Sequence, residues 1–256
     1  MIRRGVPSVV RKAVAGWQRR PYYIWRDIPY ADLNNPKQIL DVVVPKNPPF
    51  PREALPVAVF VHGGAWQRGD KEGAHYVHVA PTLARHAGIV VVTINYRLSP
   101  EVQYPEHVED TLRAVQWVAQ EIHKINGLVG ISGVYNILRL SHATIFGSMV
   151  LDPVFGSTVQ RWREASVMQP DCPARHTDTS ILLLHAEDDF HLDEDATELQ
   201  AWLEAHEYTR VRRQVIPACN HLSIVGNVRD ESVLSPTTQA IVDWIHETTS
   251  ETRGAC

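Results

Sequence analysis

The chain has 256 residues, 44% of them hydrophobic, with 25 Lys and Arg against 29 Asp and Glu and a formal net charge of −4. Folding at this length buries ~75% of the unfolded surface, enough for one large α/β domain, so a chain disordered throughout is excluded. The acidic balance argues against a general nucleic-acid binder, and no stretch approaches the ~18 apolar residues that mark a membrane span.

The charge is uneven. Arg3, Arg4, Arg11, Lys12, Arg19, Arg20 and Arg26 precede the first acidic residue, Asp27, so residues 1–26 form a basic segment and the remainder carries −11. Within that segment Val6, Val9, Val10, Val14 and Trp17 fall at near-helical spacing, a pattern suited to peripheral contact with an anionic membrane or to a targeting segment; a plain surface-docked terminal helix fits equally. Cys172, Cys219 and Cys256 are odd in number and scattered, which fits a reducing, intracellular compartment, cytoplasmic or peripheral on an organelle membrane, and excludes a CxxC-type zinc site.

Residues 27–250 read as one domain, followed by a short tail at 251–256. Leu40 to Val44 predicts a strand ended by Pro45, and the Pro-rich stretch 46–56 a turn. Val57 to Val61 and Ile89 to Ile94 are continuous β-branched runs without polar alternation, as in parallel strands covered on both faces, with a helix over 73–86 between them. A helix follows over 105–124, where Val108, Leu112, Val115, Val118, Ala119 and Ile122 form an apolar stripe. Further strands are predicted at 127–131, 180–184 and, as an edge, 212–216, with helices at 192–206 and 236–247. Alternating βα units imply an α/β fold with a mostly parallel sheet and helices on both faces.

In such sheets ligands bind beyond the carboxyl ends of the strands. After Val61 comes His62-Gly63-Gly64-Ala65-Trp66, where adjacent glycines let the backbone approach a substrate and aim the N–H groups of Gly63, Gly64 and Ala65 at a developing oxyanion. After Leu184 comes His185-Ala-Glu-Asp188-Asp189, and after Ile216 comes Pro217-Ala-Cys-Asn-His221. An acid after one late strand and a histidine after the next is the chain order of an acid–base pair, with Asp189 as the acid, Asp188 as its alternative and His221 as the base.

These segments, with Asn95-Tyr-Arg-Leu98, Tyr104-Pro-Glu-His-Val-Glu-Asp110 and Gly130-Ile-Ser-Gly-Val-Tyr-Asn136, resemble the α/β-hydrolase superfamily, in the branch of kynurenine formamidase-like and prenylcysteine methylesterase-like enzymes. The resemblance runs from about residue 28 onward. It implies hydrolysis of a small ester or amide without cofactor or metal, through a serine on a Gly-x-Ser-x-Gly elbow.

No Gly-x-Ser-x-Gly exists in the chain. The family places a central strand, the elbow and its helix after the helix at 105–124, yet here Lys124 runs directly into Ile125, so a strand–turn–helix unit of roughly 30 residues is missing at that junction. Ser132 is the remaining candidate nucleophile, but its second glycine, Gly133, comes one residue too early for an elbow. Loss of that central strand leaves its neighbours to pair across a gap or to expose apolar faces to solvent; the helix at 105–124 can serve as crossover from the strand at 89–94 to that at 127–131, so a shortened sheet can close over the gap, at reduced stability. Residues 138–176 match a cap over the acyl pocket or, alternatively, ordinary core. His75, His78 and His86 lack metal-ligand spacing and no HExxH occurs. Two readings follow: an esterase by ancestry whose serine is absent through a recent loss such as a skipped exon, or a non-catalytic hydrolase-fold protein that binds or regulates.

Overall fold

Unbroken β-branched runs become the central strands of the molecule. The computed structural model describes residues 20–31, 35–51, 55–122, 127–140, 147–169 and 177–254. In its first sheet β1 (Tyr22–Pro29), β2 (Ile39–Pro45), β3 (Val57–Val61) and β4 (Val90–Ile94) lie in the order β1-β2-β4-β3. Every residue of β4 is buried, as a Val-Val-Val-Thr-Ile run between two neighbours requires. β3 pairs parallel with β4, whereas β1–β2 and β2–β4 are antiparallel. β1 was not anticipated; it begins inside the basic segment, and its mixed burial reflects a sheet-edge position with only β2 beside it.

The second sheet contains β5 (Gly127–Ile131), β6 (Ser180–Asp188) and β7 (Val211–Asn220), all parallel, in the order β5-β6-β7. Of the two outcomes for the gap, closure of a shortened sheet does not occur among the described residues. β5 pairs with β6 alone, β3 pairs with β4 alone, and no ladder among the described residues joins the two sheets. Residues 123–126, which hold the Lys124/Ile125 junction, lie outside the described residues.

Helices nevertheless bind the halves into one body. α1 (Val79–His86), the short α7 (Ser223–Gly226) and α8 (Pro236–Gly254) cover one face, and a single core joins Val43 and Val91 of the first sheet to Leu182, Leu184 and Ile216 of the second. Phe60 of β3 and Val129 and Ile131 of β5 border this same core, so the two free edges flank one layer. On the other face α2 (Glu106–Glu121) packs with Ala114 and Val118 on the first sheet, and α6 (Leu192–Ala205) packs with Leu199 and Leu203 on the second.

The apolar stripe predicted for α2 is only partly inward. Its buried residues are His107, Asp110, Ala114 and Val118, while Val108 and Leu112 are 45% and 53% exposed. Two polar residues turn inward because each finds a partner: His107 meets the Ser99 hydroxyl, and Asp110 accepts from Arg97 and Gln38. Leu128 of β5 is likewise 53% exposed, and Val61 at the end of β3 is exposed. The helix expected from residue 73 starts at Val79, after a run of turns, and α8 extends past Glu247 to Gly254.

Candidate active site

The loop after β3 is fixed from below by buried polar groups. His62 is buried, its ring stacks on Tyr96 at 4.6 Å between centroids, and its carbonyl accepts from the Tyr96 hydroxyl at 3.0 Å. Burial holds the His62 imidazole below its ordinary pKa, with the Gly63 carbonyl and Asp70 opposing that shift. Farther along the loop, Asn95 accepts from the Lys71 backbone N–H at 2.6 Å and donates to Asp70 at 2.8 Å. The Lys71 ammonium, itself buried, lies 2.9 Å from both Asp27 and Asp41. Asn95 and Tyr96, which follow the strand at Val90–Ile94, thus hold the glycine loop from below.

Two glycines make the turn sterically feasible. Gly64 has φ +125° and a Cβ there would stand 2.2 Å from the Arg68 carbonyl oxygen; Gly69 has φ +107° and a Cβ would stand 2.4 Å from His62 Nδ1. Gly63, Gly64 and Ala65 are exposed at the end of the first sheet, with Ala65 and Trp66 at φ 53° and 57°. The Tyr76 hydroxyl lies beside Gly63, whose backbone N–H partly offsets the rise in its pKa caused by burial. Tyr76 was missed in the sequence, where it sits among turn residues with no motif around it.

Behind Trp66 lies a small separate cluster. α3 (Ile137–Leu140), a π-helical turn (Gly147–Leu151), α4 (Asp152–Phe155) and α5 (Val159–Ala165) gather Ile137, Leu151, Val154 and Phe155, and the Phe155 ring meets Trp66 edge-on at 5.0 Å. This part of 138–176 therefore packs on the glycine loop, away from the main core. Phe146 and residues 170–176 lie outside the described residues.

In the second sheet, β6 and β7 end side by side. Their register shifts after Ala186, the His221 N–H donates to the Asp188 carbonyl, and Glu187 accepts from the N–H of Ala218, which sits at φ 55°. This irregular end turns His221 over Asp189, and His221 Nδ1 stands 2.8 Å from Asp189 Oδ1. The Asp189 side chain is fully buried, whereas that of His221 is 33% exposed, so the acid is sheltered and the imidazole reaches the surface. Asp188 ends β6 as an exposed residue and meets β7 only through its backbone.

Ser132 comes to the same place by a different route. It follows β5 with φ 48°, its N–H donates to the Leu184 carbonyl at 2.8 Å, and its hydroxyl donates to Asp189 Oδ2 at 2.6 Å. A nucleophile would need its hydroxyl on the free nitrogen of the imidazole; Ser132 instead binds the far oxygen of the acid. The Ala186 N–H also donates to Asp189 Oδ2, at 3.0 Å. Among the described residues no group of three or more His, Cys, Asp or Glu side chains is placed to hold a metal ion, and Cys219 is a free buried thiol.

The order of strands and helices, with a glycine loop after β3 and a hydrogen-bonded Asp189–His221 pair after β6 and β7, matches the α/β-hydrolase fold. Esterase B of Lactobacillus rhamnosis superposes with a TM-score of 0.74 at 17% identity, covering 93% of this chain and 90% of that one. The BD-FAE family model matches residues 40–128. Bovine neutral cholesterol ester hydrolase 1 is 36% identical over 100 residues, which are 37% of this chain and 24% of that protein. The gibberellin receptor GID1C of Arabidopsis thaliana is 31% identical over 125 residues, 43% of this chain and 36% of the receptor. Together these findings show an α/β-hydrolase fold and, over part of the chain, a likeness to esterases and lipases of that fold. The chain spans about a quarter of the length of the bovine relative.

Proposed function

We propose that this chain carries the carboxylic ester, or amide, hydrolase site of its family without the nucleophile. His221 is the general base, Asp189 fixes its tautomer and stabilises the imidazolium, and Gly63, Gly64 and Ala65 supply the oxyanion donors. The serine belongs to a strand–elbow–helix unit that would enter between Lys124 and Ile125, and no metal or cofactor takes part. The observation that carries this reading is the pair of unpaired edges, β3 and β5, bordering one core. A parallel strand placed there would pair on both sides, and its carboxyl end would point toward the loop at Gly63 and toward His221. The exposed Val108, Leu112 and Leu128 fit the loss of the helix that follows such a strand.

The substrate class is a small ester by analogy with the hydrolase relatives, and the basic residues before Asp27 favour an ester presented near an anionic surface. No helix among the described residues is long and apolar enough to cross a membrane. The purified chain is expected to resist labelling by a fluorophosphonate probe; stoichiometric labelling at any serine would overturn the proposal.

The match to a receptor favours a second reading, in which the fold binds a small molecule without hydrolysing it. The survival of Gly63, Gly64, Asp189 and His221 together counts against it, because binding alone has little need of all four. Specific, saturable binding of a small ligand that is unaffected by His221→Ala would support the receptor reading.

A further inference from the structure

We infer that Ser132 is a positioning residue that locks the Asp189 carboxylate in the orientation His221 requires. This rests on the reading of Asp189 and His221 as an acid–base pair and assigns a role to a serine whose hydroxyl bonds the acid. A carboxylate on a single-bonded stem turns freely unless both oxygens are held. Here Oδ1 faces His221 Nδ1 at 2.8 Å, and Oδ2 takes the Ser132 hydroxyl at 2.6 Å and the Ala186 N–H at 3.0 Å. The Ala186 amide comes from the same strand as the acid, so it cannot fix that strand against its neighbour. Ser132 can, because it follows β5 and pins the acid of β6 from across the sheet.

The backbone supports the same conclusion. Ser132 holds φ 48°, a region costly for a residue with a Cβ unless its surroundings impose it. Glycine at this position would be free of that cost. The serine adds a hydroxyl, and the hydroxyl's partner is the acid. The residue is nearly inaccessible, 8% exposed, so solvent does not substitute for it. Three other residues around the pair, Phe190, His191 and Ala218, also have positive φ, which concentrates backbone strain where the acid and base are presented.

The test uses the full chain and needs no turnover. In nuclear magnetic resonance spectra at low pH, the Nδ1 proton of His221 shared with Asp189 should give a protected downfield signal, assigned by its loss in Asp189→Asn. Both Ser132→Ala and Ser132→Gly should broaden or abolish it, because a carboxylate free to turn no longer holds that proton in a fixed hydrogen bond. The two variants should shift the thermal midpoint differently, since glycine relieves the positive φ and alanine does not. Two outcomes overturn the inference: retention of the proton in both variants, or its recovery in Ser132→Gly alone. Absence of the signal in the unaltered chain would instead refute the acid–base pair itself and leave nothing for Ser132 to position.

Discussion

The two sheets end in loops of different construction. The glycine loop of the first sheet stands on buried polar anchors: Tyr96 under the His62 carbonyl, Asn95 and Lys71 along the loop, and Asp41 beneath Lys71. Positive φ occurs in both, at Ala65 and Trp66 in the first and at Ser132, Phe190, His191 and Ala218 in the second, where it surrounds one buried carboxylate. A loop built from side-chain anchors requires particular residues. A site made by ending two strands side by side requires little beyond the acid, the base and a register shift.

The largest effect is expected in the first sheet. Asp110 is fully buried and accepts from Arg97 at 2.7 and 2.8 Å and from Gln38 at 2.8 Å. Asp110→Ala would leave Arg97 without its counterion and should cost about 3–5 kcal/mol, read as a lower urea midpoint. Leu184 of β6 is 1% exposed in the core shared by both sheets, and Leu184→Ala should cost about 2–5 kcal/mol. Because that core joins the halves, the loss should appear as one cooperative transition; melting of the second sheet alone would break the account of a shared core.

Gly69→Ala should cost about 1–3 kcal/mol through the clash with His62, with faster amide exchange confined to residues 62–71. A smaller effect comes from pH. His62 and His107 are both held below the ordinary histidine value by burial, so each folds in its neutral form. Their contribution is complete above the unfolded value of ~6.5 and is lost as pH falls through the depressed folded values. Stability measured by urea should therefore decline on going below pH ~6.5, and His107→Gln should flatten part of that slope. Smallest of all, Leu112→Ser and Leu128→Ser on the exposed surfaces should change stability by no more than about 0.5 kcal/mol while reducing binding of an apolar dye.

Much of this arrangement could be read from residue order. The β-branched runs at 57–61 and 89–94, the glycine pair and the Asp189 and His221 positions all follow from which residues end a strand, a local property of the sequence. β1 escaped notice because Tyr22 to Pro29 adjoins a run of arginines and its burial is irregular. The split into two sheets was not legible, since a strand's sequence shows that it is apolar but not which neighbour it pairs with. The inward His107 and Asp110 of α2 were hidden for a related reason: their partners, Ser99 and Arg97, come from a loop that only the fold brings near. Ser132 was visible as a serine beside a glycine, but its bond to Asp189 spans 57 residues.

The central claim is that both halves of a hydrolase site are present and the nucleophile between them is not. Its most direct test is hydrolysis of a p-nitrophenyl ester by the chain as it stands and by a chain with a strand, a Gly-x-Ser-x-Gly turn and a helix inserted between Lys124 and Ile125. The account predicts no serine-dependent turnover in the first, and a gain of roughly 10³-fold or more in the second that is lost again in His221→Ala. Turnover by the unaltered chain that disappears in Ser132→Ala would contradict it.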